Sequence, residues 1–123
     1  MSSPNPAPLP DAPSWLVACL CAQWCGTCRD YRAVFAQAER EFPQARFRWI
    51  DIEDEADLVG PVDVEDFPTL LVARGSEVAF FGPLLPHAAT LLRLLQARLD
   101  ESAPPQLRGG EVGGLALRLR NGA

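Results

Sequence analysis

Four cysteines lie within ten residues of this chain, and their crowding constrains the chain more than any other feature. They occupy positions 19, 21, 25 and 28. A secreted domain that depends on disulfides spreads its cysteines along the chain, so that distant segments are joined. Cysteines crowded into one short stretch indicate redox chemistry or metal binding instead. We therefore expect the chemistry of this protein to be centred on this stretch.

The segments on either side of the last two cysteines predict a strand followed by a helix. Residues 14–21 form a nearly continuous apolar run, which is typical of a central strand covered on both faces. Apolar residues then recur at offsets of 3, 4, 7 and 11 from Tyr31, which marks one face of a helix ending at Pro43. Cys25 and Cys28 therefore lie between a buried strand and an amphipathic helix.

The middle of the chain continues to alternate strands and helices. Residues 46–52 alternate in polarity and predict a second strand, and 54–59 predict a short helix. Residues 69–73 and 78–81 predict a hairpin, and leucines over 91–99 mark a last amphipathic helix. This order predicts an α/β fold with a central mixed sheet of four to five strands and helices on both faces.

The two ends of the chain differ from its middle. The length of 123 residues fits one domain, which we place at 14–102. Five prolines precede it and predict an extended, flexible arm over 1–13. In the tail, 103–123, leucines alternate with other residues, and we expect either an extra edge strand near 115–120 or a loose chain end.

Charge and composition exclude several functions. The net charge of −5 argues against nucleic acid as the main partner, because phosphate binding needs a basic face. All eleven basic residues are arginine, which rules out a catalytic or phosphate-binding lysine. The first residues lack the features of a secretory signal, and no apolar run approaches the roughly 20 residues that span a bilayer. We expect a cytoplasmic protein with no membrane partner, and a monomer.

The spacing of Cys25 and Cys28 suits thiol–disulfide exchange. Such a catalyst needs an exposed thiolate to attack and a second thiol close enough to resolve the mixed disulfide. At a helix N-terminus, the helix dipole and free backbone N–H groups stabilise a Cys25 thiolate and lower its pKa, while Cys28 lies one turn in. Gly26 allows a close approach of the substrate backbone, and Trp24 is expected to shield the sulfurs. Because such a pair is also half of many zinc sites, zinc bound by all four cysteines stays an alternative.

Taken in order, these motifs resemble the thioredoxin family. The matching elements are the buried strand, Trp24-Cys25-Gly26-Thr27-Cys28, the helix, Ile50-Asp51-Ile52-Glu53, Phe67-Pro68-Thr69-Leu70-Leu71 and Gly82. The resemblance covers roughly 14–101. It implies a thioredoxin-like fold and an enzyme, a protein-disulfide oxidoreductase, with Cys25 as nucleophile and Cys28 as resolving thiol. The redox-active disulfide Cys25–Cys28 would serve in place of any other cofactor, and no metal is expected.

The resemblance also implies how substrates bind and who the partners are. It makes Pro68 a cis-proline beside the cysteines, with Phe67 offering backbone hydrogen bonds to a substrate chain and Gly82 lining the same groove. Protein disulfides would be the substrates, and a thioredoxin reductase or a thiol pool would donate the electrons. The alternative is a thioredoxin-like binding or chaperone module with little redox turnover.

Three positions near the cysteines depart from the family. Thr27 replaces the usual proline and adds a hydrogen-bond donor near the sulfurs, which predicts a less reducing couple than that of an ordinary thioredoxin. Cys19 stands where the family has a buried aspartate, and Trp49 where a lysine often pairs with it. We therefore expect either that water or Glu53 accepts the proton of the resolving thiol, or that turnover is slower.

Two further departures concern Cys21 and the start of the domain. Cys21 replaces a tryptophan of the family and shares a strand face with Cys19, and we expect both to be buried and inert. The alternative is that Cys19 exchanges with Cys28. The family has a β–α unit before its central strand, and we expect this unit to be missing here, with 115–120 supplying a replacement edge strand.

Overall fold

Five strands and four helices are present in the part of the chain that the computed structural model describes. The described residues are 15–22, 26–60, 62, 64, 68–75, 77–85, 87–99, 107–108 and 110–121. The strands are β1 (Trp15–Cys21), β2 (Ala45–Asp51), β3 (Thr69–Arg74), β4 (Glu77–Pro83) and β5 (Leu107–Arg108). The helices are α1 (Gly26–Glu41), α2 (Ala56–Val59), α3 (Ala88–Arg98) and α4 (Gly110–Asn121).

The strands form one mixed sheet in the order β2-β1-β3-β4-β5. β1 pairs in parallel with β2 and antiparallel with β3, and β3, β4 and β5 continue antiparallel. The β3–β4 hairpin turns at Gly75, whose φ of 62° is a conformation that glycine adopts without strain. The predicted α/β class, with a mixed sheet and helices on both faces, is confirmed.

The central strand β1 separates two hydrophobic cores. All seven of its residues are buried. Because side chains alternate along a strand, Val17, Cys19 and Cys21 face the core formed with α1 and α3, whereas Leu16 and Leu20 face the core formed with α2 and α4. The nearly continuous apolar run in the sequence follows from this burial on both faces.

Helix α1 covers the first core and fixes the position of Cys28. Tyr31, Phe35 and Ala38 lie on its buried face, at the helical spacing that the sequence indicated. The helix ends at Glu41, and Pro43 follows in a turn. Cys28 lies in its first turn on the same buried face, and the helix therefore brings this sulfur towards β1.

The expectation of an edge strand near 115–120 is wrong, because this segment belongs to α4. Leu115, Ala116 and Leu119 are fully buried, whereas Leu117 is 41% exposed. This spacing is helical. The alternation of leucines with other residues suggested a strand, but Ala116 is buried at a position that a strand would turn outward. The sheet does gain an edge strand, but it is β5, which pairs with Glu77 and Val78.

The described part of the predicted tail therefore belongs to the domain core instead of lying outside 14–102. Arg118 of α4 donates a hydrogen bond to the Val59 carbonyl at 3.0 Å, and Arg48 of β2 donates one to the Leu119 carbonyl. The predicted arm over 1–13 lies outside the described residues. The same holds for the stretch before β1, where we expected the β–α unit of the family to be missing. None of the described helices has the length and apolar character needed to cross a membrane.

Candidate redox site

A disulfide joins the end of β1 to the start of α1. Its partners are Cys21, the last residue of β1, and Cys28, in the first turn of α1, with 5.9 Å between their Cα atoms. Both residues are buried, with 1% and 2% of their surfaces exposed. The crossing of α1 over β1 brings the two sulfurs together, because both residues face the core that these elements share.

This pairing changes the expected role of Cys21. We expected a buried and inert thiol at this position. The burial is confirmed, but the expectation of an inert thiol is wrong because Cys21 is bonded to Cys28. Exchange of Cys28 with Cys19, our alternative, is not the arrangement found, since Cys19 carries a free thiol. Cys25 lies outside the described residues, so its pairing with Cys28 stays a prediction.

Cys19 lies next to the disulfide without joining it. Its Sγ is 3.7 Å from the Sγ of Cys21, on the same face of β1. Burial raises the pKa of the Cys19 thiol far above its ordinary value, because a thiolate would lose its hydration in the apolar core. At the position of the family's buried aspartate, this chain therefore carries a group that stays protonated and neutral.

Tyr31 of α1 shares this environment. Burial, and secondarily the neighbouring Cys19, raise the pKa of its phenol. Its hydroxyl is buried and has no hydrogen-bond partner among the described residues. The space under the disulfide is therefore apolar and electrically neutral, and it keeps the Cys19 thiol in its protonated form.

A cleft of about 500 Å³ opens beside Cys28. It is lined by Ala22, Cys28, Arg29, Arg32, Trp49, Asp51, Asp54 and Glu55. Two arginines of α1 face carboxylates that follow β2, and the Arg32 guanidinium lies over the Trp49 ring at 5.1 Å from its centroid. Trp49 also packs edge-on against Phe35, with ring centroids 5.8 Å apart. Trp49 thus forms a wall of this cleft where the family often has a lysine.

Among the acidic residues that line this cleft, Asp51 is the one paired in the sheet with a cysteine of the disulfide. It ends β2 and is the parallel-strand partner of Cys21. Its Oδ1 accepts hydrogen bonds from the backbone N–H groups of Glu53 at 2.9 Å and Asp54 at 3.2 Å, which fixes the turn after β2. Glu53, which we expected as a proton acceptor, is exposed and does not line the cleft. Asp51 was missed because only strand register connects it with Cys21.

The remaining predicted site residues are partly described. Gly26 begins α1, and Thr27 is exposed in its first turn. Pro68 is buried directly before β3, and its carbonyl accepts a hydrogen bond from the Leu84 N–H at 3.2 Å. Gly82 lies in β4, paired with Leu70 of β3.

Two other predicted site residues, Trp24 and Phe67, lie outside the described part of the chain. The substrate groove and the cis peptide at Pro68 remain predictions. No group of three or more histidine, cysteine or acidic side chains suited to a metal ion occurs among the described residues. In this oxidised state the sulfurs of Cys21 and Cys28 are bonded to each other and are not thiolate ligands.

The arrangement of the sheet and helices matches solved thioredoxin structures. The X-ray structure of Fasciola hepatica thioredoxin superposes with a TM-score of 0.63 at 18% identity, covering 71% of this chain and 83% of that one. At this identity the likeness concerns the fold alone, and the fold is thioredoxin-like. The predicted fold is thereby confirmed.

Sequence comparison gives the family. A family model described as Thioredoxin matches residues 9–84, a segment that contains Cys25 and Cys28. Putative thioredoxin 2 of Streptomyces coelicolor is 32% identical over 78 residues, which cover 63% of this chain and 58% of that protein. A thioredoxin H-type of Oryza sativa subsp. indica is 38% identical over 53 residues, 43% of each chain. The chain belongs to the thioredoxin family, and it spans about half the length of the curated relatives it matches.

Proposed function

We propose that this protein is a thiol–disulfide oxidoreductase that reduces or exchanges protein disulfides through Cys25 and Cys28. The observation that carries the proposal is the disulfide at Cys28, in the first turn of α1 and beside an open cleft. A helix start is the position at which a thiolate is stabilised by the helix dipole and free N–H groups. Membership of the thioredoxin family supports the same reaction class.

The proposed cycle has two exchange steps. The Cys25 thiolate attacks one sulfur of a substrate disulfide, forms a mixed disulfide and expels the other sulfur as a thiolate. The Cys28 thiol then loses its proton and attacks the Cys25 sulfur, which releases the second substrate sulfur and leaves the Cys25–Cys28 disulfide. A thioredoxin reductase or a thiol pool supplies two electrons to restore both thiols. A cytoplasmic location, where thiols are kept reduced, suits this cycle.

Asp51 is proposed as the acceptor of the Cys28 proton. The buried aspartate of the family is replaced by Cys19, whose raised pKa prevents it from acting as a base at neutral pH. Asp51 lines the same cleft as Cys28 and is held by two backbone N–H groups. Phe67, Pro68 and Gly82 are proposed to bind the substrate backbone next to the cysteines.

Turnover of insulin disulfides tests this proposal. With dithiothreitol as electron donor, the whole chain should accelerate insulin reduction, and Cys25→Ala or Cys28→Ala should lower the accelerated rate at least tenfold. Gln96→Ala, on the exposed side of α3, serves as a control for handling and should retain the rate. A wild-type rate equal to that of dithiothreitol alone would overturn the proposal.

The bond between Cys21 and Cys28 favours a second candidate, a thioredoxin-like binding or chaperone module with little turnover. In that case Cys28 would be held permanently and would not resolve mixed disulfides. Such a protein would bind reduced insulin chains and delay their aggregation without releasing thiols from intact insulin. Measuring thiol release and light scattering in the same sample separates the two candidates.

A further inference from the structure

We propose that Cys21 is a third redox cysteine, which takes Cys28 from the Cys25–Cys28 disulfide by internal thiol–disulfide exchange. This inference rests on the proposed function, because Cys25 must first form a disulfide with Cys28 and must form it again in the reverse exchange. It goes further by making the buried disulfide a resting form of the oxidised protein. The experiments below can overturn this inference without overturning the proposed function.

The fold holds Cys21 where such an exchange can occur. Cys21 ends β1 and Cys28 lies in the first turn of α1, and their Cα atoms are 5.9 Å apart, the usual separation for a disulfide. Cys25 is three residues before Cys28 in the chain, the spacing of a redox-active pair. Cys28 is therefore within reach of one partner along the chain and one partner across the fold.

The exchange conserves atoms and electrons. The Cys21 thiol gives its proton to the carboxylate of Asp51, its in-register neighbour on β2, and the thiolate attacks the Sγ of Cys28. The Cys25–Cys28 bond breaks as the Cys21–Cys28 bond forms, and Cys25 leaves as a thiolate. No external oxidant or reductant takes part, because both isomers contain one disulfide. The equilibrium favours the isomer whose departing thiolate is better stabilised, which is Cys25 next to the start of α1.

The exchange should stop at Cys21 instead of continuing to Cys19. The two sulfurs are only 3.7 Å apart. Cys19 lies two residues further inside β1, however, where its strand neighbours are Trp49 and Leu70 instead of an acidic residue. Its raised pKa keeps it protonated, so it is a poor nucleophile. Cys19 is therefore a matched control for Cys21: a buried cysteine on the same strand face that should not take part.

Burial of the new disulfide has a chemical consequence. Although Cys28 lines one wall of the cleft, Cys21 and Cys28 are only 1% and 2% exposed, so external thiols have little access to either sulfur. Reduction should then proceed through the reverse exchange with Cys25. Meanwhile the freed Cys25 thiolate can form a mixed disulfide that Cys28 is unable to resolve. The oxidised protein thus alternates between a form ready for reduction and a form that captures a partner.

Disulfide mapping tests the pairing directly. The first basic residue is Arg29, so trypsin leaves all four cysteines on one peptide, whereas chymotryptic cleavage after Trp24 separates Cys21 from Cys25 and Cys28. The protein is oxidised with glutathione disulfide, its free thiols are blocked with N-ethylmaleimide, and it is then digested. More than half of the wild-type molecules should give two peptides joined by a disulfide. The joined peptides should persist in Cys19→Ala and disappear in Cys21→Ala.

Kinetics and the potential distinguish a redox role from a structural bond. Reduction of the Cys21–Cys28 disulfide by glutathione should be at least tenfold slower in Cys25→Ala than in the wild type. If the Cys21–Cys28 isomer is favoured tenfold over the Cys25–Cys28 isomer, the wild-type couple should be about 30 mV more reducing than that of Cys21→Ala. Equal rates in Cys25→Ala and wild type would overturn the inference, because Cys21–Cys28 would then be reduced without Cys25.

The outcomes of the two proposals can be told apart. Insulin turnover without joined peptides would overturn the role of Cys21 and leave the oxidoreductase intact. Joined peptides without turnover would overturn the oxidoreductase, and the role of Cys21 with it, because the bond would be purely structural.

Discussion

Replacement of single leucines in α4 tests whether the end of the domain is a helix or an edge strand. In α4, Leu119 is fully buried in the core that α2 and α4 form with the sheet, and Leu117 is 41% exposed. Truncation of a leucine to alanine removes three carbon groups, at about 0.8 kcal/mol each when buried, and leaves a cavity. Leu119→Ala should therefore lower the free energy of unfolding by about 3 kcal/mol. Leu117→Ala should lower it by less than about 1 kcal/mol, since much of this side chain is already in water.

Urea unfolding followed by tryptophan fluorescence measures both changes. The two variants share one helix and one type of substitution, so each is the control for the other, provided that the dependence on urea (the m-value) stays constant. In a strand, Leu115, Leu117 and Leu119 would lie on one face, and their truncations would be comparably destabilising. Equal losses for Leu117→Ala and Leu119→Ala would therefore refute the helix and restore the edge strand.

Three further predictions concern the core around the disulfide. Tyr31→Phe removes a buried hydroxyl that has no partner among the described residues, and should raise the unfolding free energy by about 1 kcal/mol; a loss of similar size in urea unfolding would contradict this. Burial raises the pKa of Cys19 in the folded protein above its ordinary value of 9.0. As the pH rises above 9.0, the Cys19 thiol is therefore deprotonated in the unfolded chain but not in the folded protein, and the free energy of unfolding should fall. Stability measured from pH 8 to 10 should fall less steeply in Cys19→Ala, by at most about 1.4 kcal/mol per pH unit, and an unchanged slope would count against the buried thiol. Because Cys21 and Cys28 are seven positions apart, their disulfide should stabilise the oxidised over the reduced protein by about 2.4 kcal/mol in denaturant unfolding, and equal stability of the two forms would contradict it.

The elements that position the site could be predicted because their hydrophobic patterns have one interpretation. The apolar run ending at Cys21 is too short for a buried helix and is followed by the helical spacing from Tyr31 onward. The hairpin was marked by Gly75 and by the strand that begins after Pro68. These signals are local, and local signals are what a single sequence contains.

The features that were missed depend on tertiary contacts. In α4, the alternating leucines match a strand, and three glycines weaken any helical signal. The burial of Ala116 together with Leu115 and Leu119 is what distinguishes the helix from a strand. The partner of Cys28 depends on how α1 crosses β1, which no spacing along the chain specifies. Asp51 likewise joins the cleft through the register of β2 with β1.

Capture of a substrate by the attacking cysteine is the most direct test of the oxidoreductase. Reduced Cys28→Ala lacks the resolving thiol, so a substrate disulfide that reacts should stay bound to the protein. On incubation with insulin, mass spectrometry should find a mixed disulfide on Cys25, with one thiol released per protein molecule. Absence of this adduct, or an adduct on Cys19 or Cys21 in its place, would contradict thiol–disulfide exchange through Cys25.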